Sequence, residues 1–262
     1  MGTPNPIIDA APAAADAMAR LPAPPFVLSR PALFLDLDGV LAPFAATPQA
    51  VLPDPRRTAL LKRLADRLGG RVAIVSGRTI AEVDRISGAA LASASGVHGL
   101  ERRGVSGVLD RASPSPAVKS VVTAFEDFAR ARPGVIVEDK GVSAGLHFRG
   151  APAEAEAATR LAHALAGETG LVLQPGDLVL ELKTPGTDKG SALTAFMAEP
   201  PFVGALPIMV GDDLTDEYGF RAAEALGGFG VLVGPPRETA ARFGLADVAA
   251  VLDWLDRVAE AA

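Results

Sequence analysis

Leu33-Phe34-Leu35-Asp36-Leu37-Asp38-Gly39-Val40 places two carboxylates two residues apart where an apolar run ends. In an extended chain successive side chains alternate, so Asp36 and Asp38 point to one side and Leu37 to the other, while Gly39 frees the backbone to turn. Two like charges held that close are costly unless a cation lies between them or one carboxyl keeps its proton, so the pair asks for Mg²⁺, an oxygen-seeking ion. The plain alternative is a strand end followed by an Asp-Gly turn.

Beyond this stretch, a loop holding Pro43, Pro48, Pro53 and Pro55 leads to a helical pattern over Arg56 to Leu68, with Leu60, Leu61, Leu64 and Leu68 on one face and Gly69-Gly70 as its stop. Arg71 to Val75 reads as a short buried strand with Ser76-Gly77-Arg78 at its end, and a helix follows over Ile80 to Ile86. The rhythm returns near the C-terminus: a strand over Leu206 to Val210, the acidic cluster Gly211 to Glu217, a helix over Asp216 to Leu226, and a strand over Val231 to Val233. A last amphipathic helix over Ala246 to Ala259 carries Val248, Val251, Leu252 and Leu255. Such alternation predicts an α/β fold, a Rossmann-like parallel sheet covered by helices on both faces. The middle differs. Two extended runs within Val135 to Arg149 flank Gly141, an Ala- and Glu-rich helix spans Pro152 to Thr169, and two strands flank Pro175-Gly176-Asp177. This pattern predicts an α+β cap, an antiparallel sheet with a helix on one face, inserted at 111–185 into a core made of 26–110 and 186–262, with Gly186 as a candidate hinge.

Composition narrows the function. The chain has 262 residues, 49% apolar and 21% charged, an ordinary globular balance with room for a core and an insert. A net charge of -6 supplies no basic field for nucleic acid. The absence of cysteine excludes disulfides, thiolate metal sites and cysteine nucleophiles, and fits a cytoplasmic location. No apolar run approaches a membrane span. Residues 1–25, rich in Ala and Pro, lack the basic start and apolar stretch of a secretory signal and read as a loose lead-in, with a helical turn possible within Asp9 to Leu21. The expected partner is a small molecule, and the expected state a monomer.

Three candidate sites lie just past apolar strands: Asp36 with Asp38, Ser76, and Asp212 with Asp213. In an open α/β sheet ligands bind beyond the carboxyl ends of the strands, so these segments are expected to converge. Lys189, at the start of a helical stretch, adds a positive charge beside a helix amino end that favours an anion. Together these are parts for phosphoryl transfer. Singly, each has a structural explanation: a strand-to-helix turn at Ser76-Gly77-Arg78, a solvated Lys189, and a helix start at Gly211 to Glu217, with Asp213 or Thr215 capping and Asp216 and Glu217 meeting the dipole. On the cap strands, Glu138 and Glu181 could accept hydroxyl hydrogen bonds and Lys140 could meet phosphate or sugar oxygens, although a half-exposed sheet carries polar residues at alternate positions anyway.

These segments resemble, in order, the four motifs of the haloacid dehalogenase-like (HAD) phosphatases: DLDGV at Asp36, Ser76, Lys189, and GDDLTDE from Gly211. The resemblance implies Asp36 as the nucleophile forming an aspartyl-phosphate, and Asp38 as the general acid that then activates water. It also implies Ser76 and Lys189 on the phosphoryl oxygens, and Mg²⁺ held by Asp36, Asp212 and the backbone carbonyl of Asp38. Further segments, Gly96 to Glu101, Val137 to Gly141, His147 to Arg149 and Glu181, resemble the trehalose-6-phosphate phosphatase family. That implies a phosphorylated disaccharide as substrate, with Gly77, Arg78, His98, Glu138, Lys140 and Glu181 as binding residues. Arg78 is placed either at the phosphate or as a brace for its own loop, and His98 and His147 are open to structural roles. The rival functions are hydrolysis of another sugar phosphate such as sucrose 6-phosphate, a phosphomutase, and a non-catalytic sugar-phosphate sensor.

Overall fold

Every residue of the strand Pro31–Leu35 (β1) is buried, as a strand covered on both faces must be. The computed structural model describes residues 21–45 and 47–262, so nearly all of the helical turn considered for Asp9 to Leu21 lies outside the described residues. After β1 come α1 (Pro55–Arg67), β2 (Val72–Val75), α2 (Ile80–Ser87), β3 (Ser93–Gly96), β4 (Glu101–Arg103), β5 (Leu109–Arg111) and α3 (Ala117–Ala129). Then follow β6 (Ile136–Asp139), β7 (Ser143–His147), α4 (Ala155–Thr169), β8 (Val172–Gly176) and β9 (Val179–Lys183). The chain closes with α5 (Lys189–Met197), β10 (Leu206–Gly211), α6 (Asp216–Ala225), β11 (Phe229–Val233), β12 (Phe243–Leu245) and α7 (Val248–Ala261).

The larger sheet has the order β12-β11-β10-β1-β2-β3-β4-β5. β12 through β3 run parallel, and β4 and β5 extend the sheet as an antiparallel meander. Alternation along β1 divides the core: Leu33 and Leu35 join α1, α2 and α7 on one face, whereas Ala32 and Phe34 join α5 and α6 on the other. Helices on both faces are what the sequence rhythm predicts; strands β3 to β5 are additional. Residues 22–25 are fastened rather than loose. The Pro22 carbonyl accepts from the Gly244 N–H, and the Pro25 carbonyl accepts from Trp254 Nε1.

The smaller sheet, order β6-β7-β9-β8, is antiparallel throughout. Its apolar face packs Ala144, Leu146, Leu180 and Leu182 against Val121 and Phe125 of α3 and Ala158 and Ala162 of α4. Two helices therefore cover it, not the single one expected. The other face carries a cross-strand row, Glu138-Gly145-Glu181-Gln174. Where the chain passes between the sheets, Thr184 Oγ1 accepts from the Ser115 N–H at 3.1 Å and donates to the Val142 carbonyl at 2.8 Å, fastening both connections together.

Phe34 stacks on Phe196 and Phe202 with ring centroids 6.0 and 5.5 Å away, all fully buried. Phe34→Ala should lower unfolding stability by about 3–5 kcal/mol, read from the midpoint of a urea titration against the parent chain.

Candidate active site

The loops after β1, β2 and β10 and the start of α5 meet at the carboxyl edge of the larger sheet, at the base of a cleft roofed by the smaller sheet. Lys189 joins them. Its Nζ lies 2.8 Å from Asp36 Oδ2 and 2.7 Å from Asp216 Oδ1, with the lysine 2% exposed. The second Asp216 oxygen accepts from the backbone N–H groups of Asp212 and Asp213, both at 3.0 Å, which shapes the acidic loop. Asp216 is thus a buried member of the site, whereas its sequence position gave it only a role against the helix dipole. Thr215 occupies the cap position without a capping hydrogen bond, and Asp213 accepts from Leu214 N–H instead.

Carboxylate oxygens of Asp36, Asp212 and Asp216 lie within 4.8 Å of one another. Three carboxylates face one ammonium, and Asp212 Oδ1 is buried with no hydrogen-bond partner. This unmet oxygen and excess negative charge fit a hard divalent cation. Burial raises the Asp36 carboxyl well above the ordinary carboxylate range against the pull of Lys189, with Asp216 adding to the rise. Burial, then Asp36 and Asp216, raise Asp212 in the same way. Gly39 allows the approach: its φ is +74°, and a Cβ there would lie 2.2 Å from Asp212 Oδ2. The Asp38 side chain is apart from this cluster, gripped by Arg78 through Nε at 2.6 Å and Nη2 at 2.9 Å.

Ser76 is buried, and its Oγ accepts from the Arg78 N–H at 3.2 Å. The loop it opens is held by the segment Gly96 to Glu101: Val97 N–H donates to Arg78 O, His98 N–H to Ser76 O, and Ile80 N–H to Glu101 Oε2. Val97 and His98 both have positive φ, +46° and +51°, a strained backbone that surrounding contacts must impose. Gly77 lies against the His98 ring, where a Cβ would meet Nε2 at 2.6 Å. Burial lowers the His98 pKa to about 3 against the attraction of Glu181, so the imidazole is neutral at pH 7.

From the cap, Lys140 reaches down. Its Nζ donates to Glu181 Oε2 at 2.7 Å and to the Gly77 carbonyl at 3.0 Å. Burial opposes charge on Glu181, but Lys140 and His98 outweigh it and hold the carboxyl at about 2. Glu138 pairs with His147 at 2.8 Å and lies 3.7 Å from Lys140; despite burial, these partners lower its pKa. All the residues singled out from sequence, from Asp36 to Asp212, therefore line one cleft, together with Phe44, Arg149, Gln174 and Asp177, which had not been singled out for the site.

Residues 34–248 match the family model for trehalose-phosphatase. The chain belongs to the trehalose-phosphatase family. It is 37% identical to the trehalose-6-phosphate phosphatase of Escherichia coli over 240 residues, 90% of either protein. The fold superposes on the C-terminal domain of the C. albicans trehalose-6-phosphate phosphatase with a TM-score of 0.82 at 20% identity, covering 92% of this chain and 99% of that one. A haloacid dehalogenase-like hydrolase from Bacteroides thetaiotaomicron shares the architecture at a TM-score of 0.61 and 17% identity, covering 86% and 98%. As a trehalose-phosphatase family member the chain is an enzyme, a phosphoric monoester hydrolase.

In this trehalose-phosphatase family member, Gly39→Ala should separate the Asp36 and Asp212 loops. The expected result is a stability loss of about 1–3 kcal/mol by thermal melt, with phosphatase activity falling further than the folded fraction measured by circular dichroism.

Proposed function

We propose that the protein hydrolyses trehalose 6-phosphate to trehalose and phosphate through an aspartyl-phosphate on Asp36, with Mg²⁺ as cofactor. The observation that carries this is the juxtaposition of Asp36 and its buried partner Lys189 with a roof of charged cap residues, Glu138, Lys140 and Glu181, over one cleft. Asp36 presents one oxygen to Lys189, while the other accepts from the Leu37 N–H at 2.7 Å, so its direction of attack is set before substrate arrives. Lys189 and the Ser76 hydroxyl lie where charge spreads over the transferring phosphoryl oxygens. Asp38 gives its proton to the departing sugar oxygen and then takes one from water. The cap groups accept sugar hydroxyls and exclude bulk water. Asp36 and Asp212 would hold the ion, together with the backbone carbonyl of Asp38, and Asp216 shapes that site through Lys189 and the loop N–H groups. When bound, Mg²⁺ supplies neutralisation of the phosphate's negative charge.

Phosphate release measured across a panel of sugar phosphates should be greatest for trehalose 6-phosphate; faster cleavage of glucose 6-phosphate or sucrose 6-phosphate would overturn the substrate assignment. An isomeric sugar phosphate in place of free phosphate would point to a mutase. Asp36→Asn should abolish turnover with an unchanged melting profile, and retained turnover would remove Asp36 as nucleophile.

The cation must displace protons from carboxyls that titrate above the usual range near 4. Protons therefore compete increasingly as pH falls. Mg²⁺ affinity, followed by isothermal titration calorimetry, should be clearly weaker at pH 6 than at pH 8; ordinary carboxyls would show no difference over that interval.

A further inference from the structure

We propose that Arg78 is a positioning residue that aims the Asp38 carboxylate, and not a ligand of the substrate phosphate. The inference rests on Asp38 being the proton donor of the proposed reaction.

A guanidinium has five N–H donors. Arg78 commits four of them: Nε to Asp38 Oδ2 at 2.6 Å, Nη2 to Asp38 Oδ1 at 2.9 Å, and Nη1 to both the Pro48 carbonyl at 2.8 Å and Glu82 Oε1 at 3.1 Å. Little donor capacity is left for phosphate. Turning towards one would strand Glu82 and the Pro48 carbonyl in a partly buried site, which is expensive. Glu82 is itself held, since its other oxygen accepts from the Thr79 N–H and hydroxyl at 3.3 and 3.1 Å in the capping box of α2. The chain of contacts therefore runs from the amino end of α2 through Glu82 and Arg78 to Asp38.

Both side chains line the cleft, with Arg78 10% exposed and Asp38 23%, so the carboxylate stays the more open of the two. A carboxylate on a single methylene has two rotatable bonds, and a proton donor is useful only in one narrow range of both. Two parallel N–H···O bonds fix both at once, because the fork of arginine matches the carboxylate in its plane, and they occupy one lone pair on each oxygen, leaving a second to carry the proton that passes to the sugar oxygen. A lysine would supply charge without that constraint.

The test compares kcat/KM for leaving groups of different need. Nitrophenolate departs without a proton, whereas a sugar alkoxide requires one. Arg78→Ala should lower kcat/KM on trehalose 6-phosphate about a hundredfold, the lower end of what general acid catalysis supplies, and on p-nitrophenyl phosphate several times less. Arg78→Lys should recover only a minor part of the loss on the sugar ester. An equal loss on both esters with a raised KM would make Arg78 a phosphate ligand, and an equal loss with a lowered melting temperature would make it a mere brace. Full recovery in Arg78→Lys would show that a point charge suffices; each of these three results overturns the proposal. If the parent enzyme prefers another sugar phosphate, the substrate assignment alone fails, and the same comparison stands with that ester in place of trehalose 6-phosphate.

Discussion

The site depends on one buried ammonium. Lys189 lies between Asp36 and Asp216, and each of these three groups comes from a different part of the chain: the end of β1, the start of α5 and the start of α6. Burying any one alone would be prohibitive, and removing Lys189 would leave two carboxylates uncompensated in a dry environment. Through Asp216 the lysine also determines the path of the acidic loop, because that carboxylate takes the N–H groups of Asp212 and Asp213. Association of β1 with β10 brings the loops together; the ion pair orders what lies beyond the strands.

The second wall is built with the same economy. The segment Gly96 to Glu101 touches the Ser76 loop at three backbone positions and carries its strain at Val97 and His98. Its imidazole is neutral, so the charge balance at this wall is left to Lys140 and Glu181. The Lys140 ammonium binds both a cap carboxylate and the Gly77 carbonyl, so the cap and the loop after β2 share one donor. The larger and the smaller sheet are therefore coupled at a single side chain.

Much of this was legible from residue order. Apolar runs ending in Asp36, Ser76 and Asp212 are strands because β-branched and large aliphatic side chains need two covered faces, and their ends mark the ligand edge. The strand Ser93–Gly96 was not legible, since SASG has no large apolar side chain and forms because β2 and β4 offer it partners on either side. β4 and β5 are rich in arginine and exposed residues, and their pairing follows from tertiary position. Helix α3 does carry Val118, Val121 and Phe125 at helical spacing, hidden behind the prolines at 114 and 116. Asp216 looked like an ordinary acidic residue at a helix start. Only the three-dimensional path of Lys189 reveals its burial, and the embrace of Asp38 by Arg78 spans forty residues of sequence.

Thr184 ties the two connections between sheets at one spot, next to Val142 and the Ser115 segment. β7 and β9 both meet that spot at one end, Ser143 and Lys183, and reach away to His147 and Val179 at the other. Four residues of extended chain make a lever arm of roughly 13 Å. Any swing of the small sheet about this fulcrum displaces the His147 and Ile136 end most and Lys140 least. In such a swing the ammonium, near the pivot, would stay almost stationary, while the far lip would sweep across the mouth of the cleft.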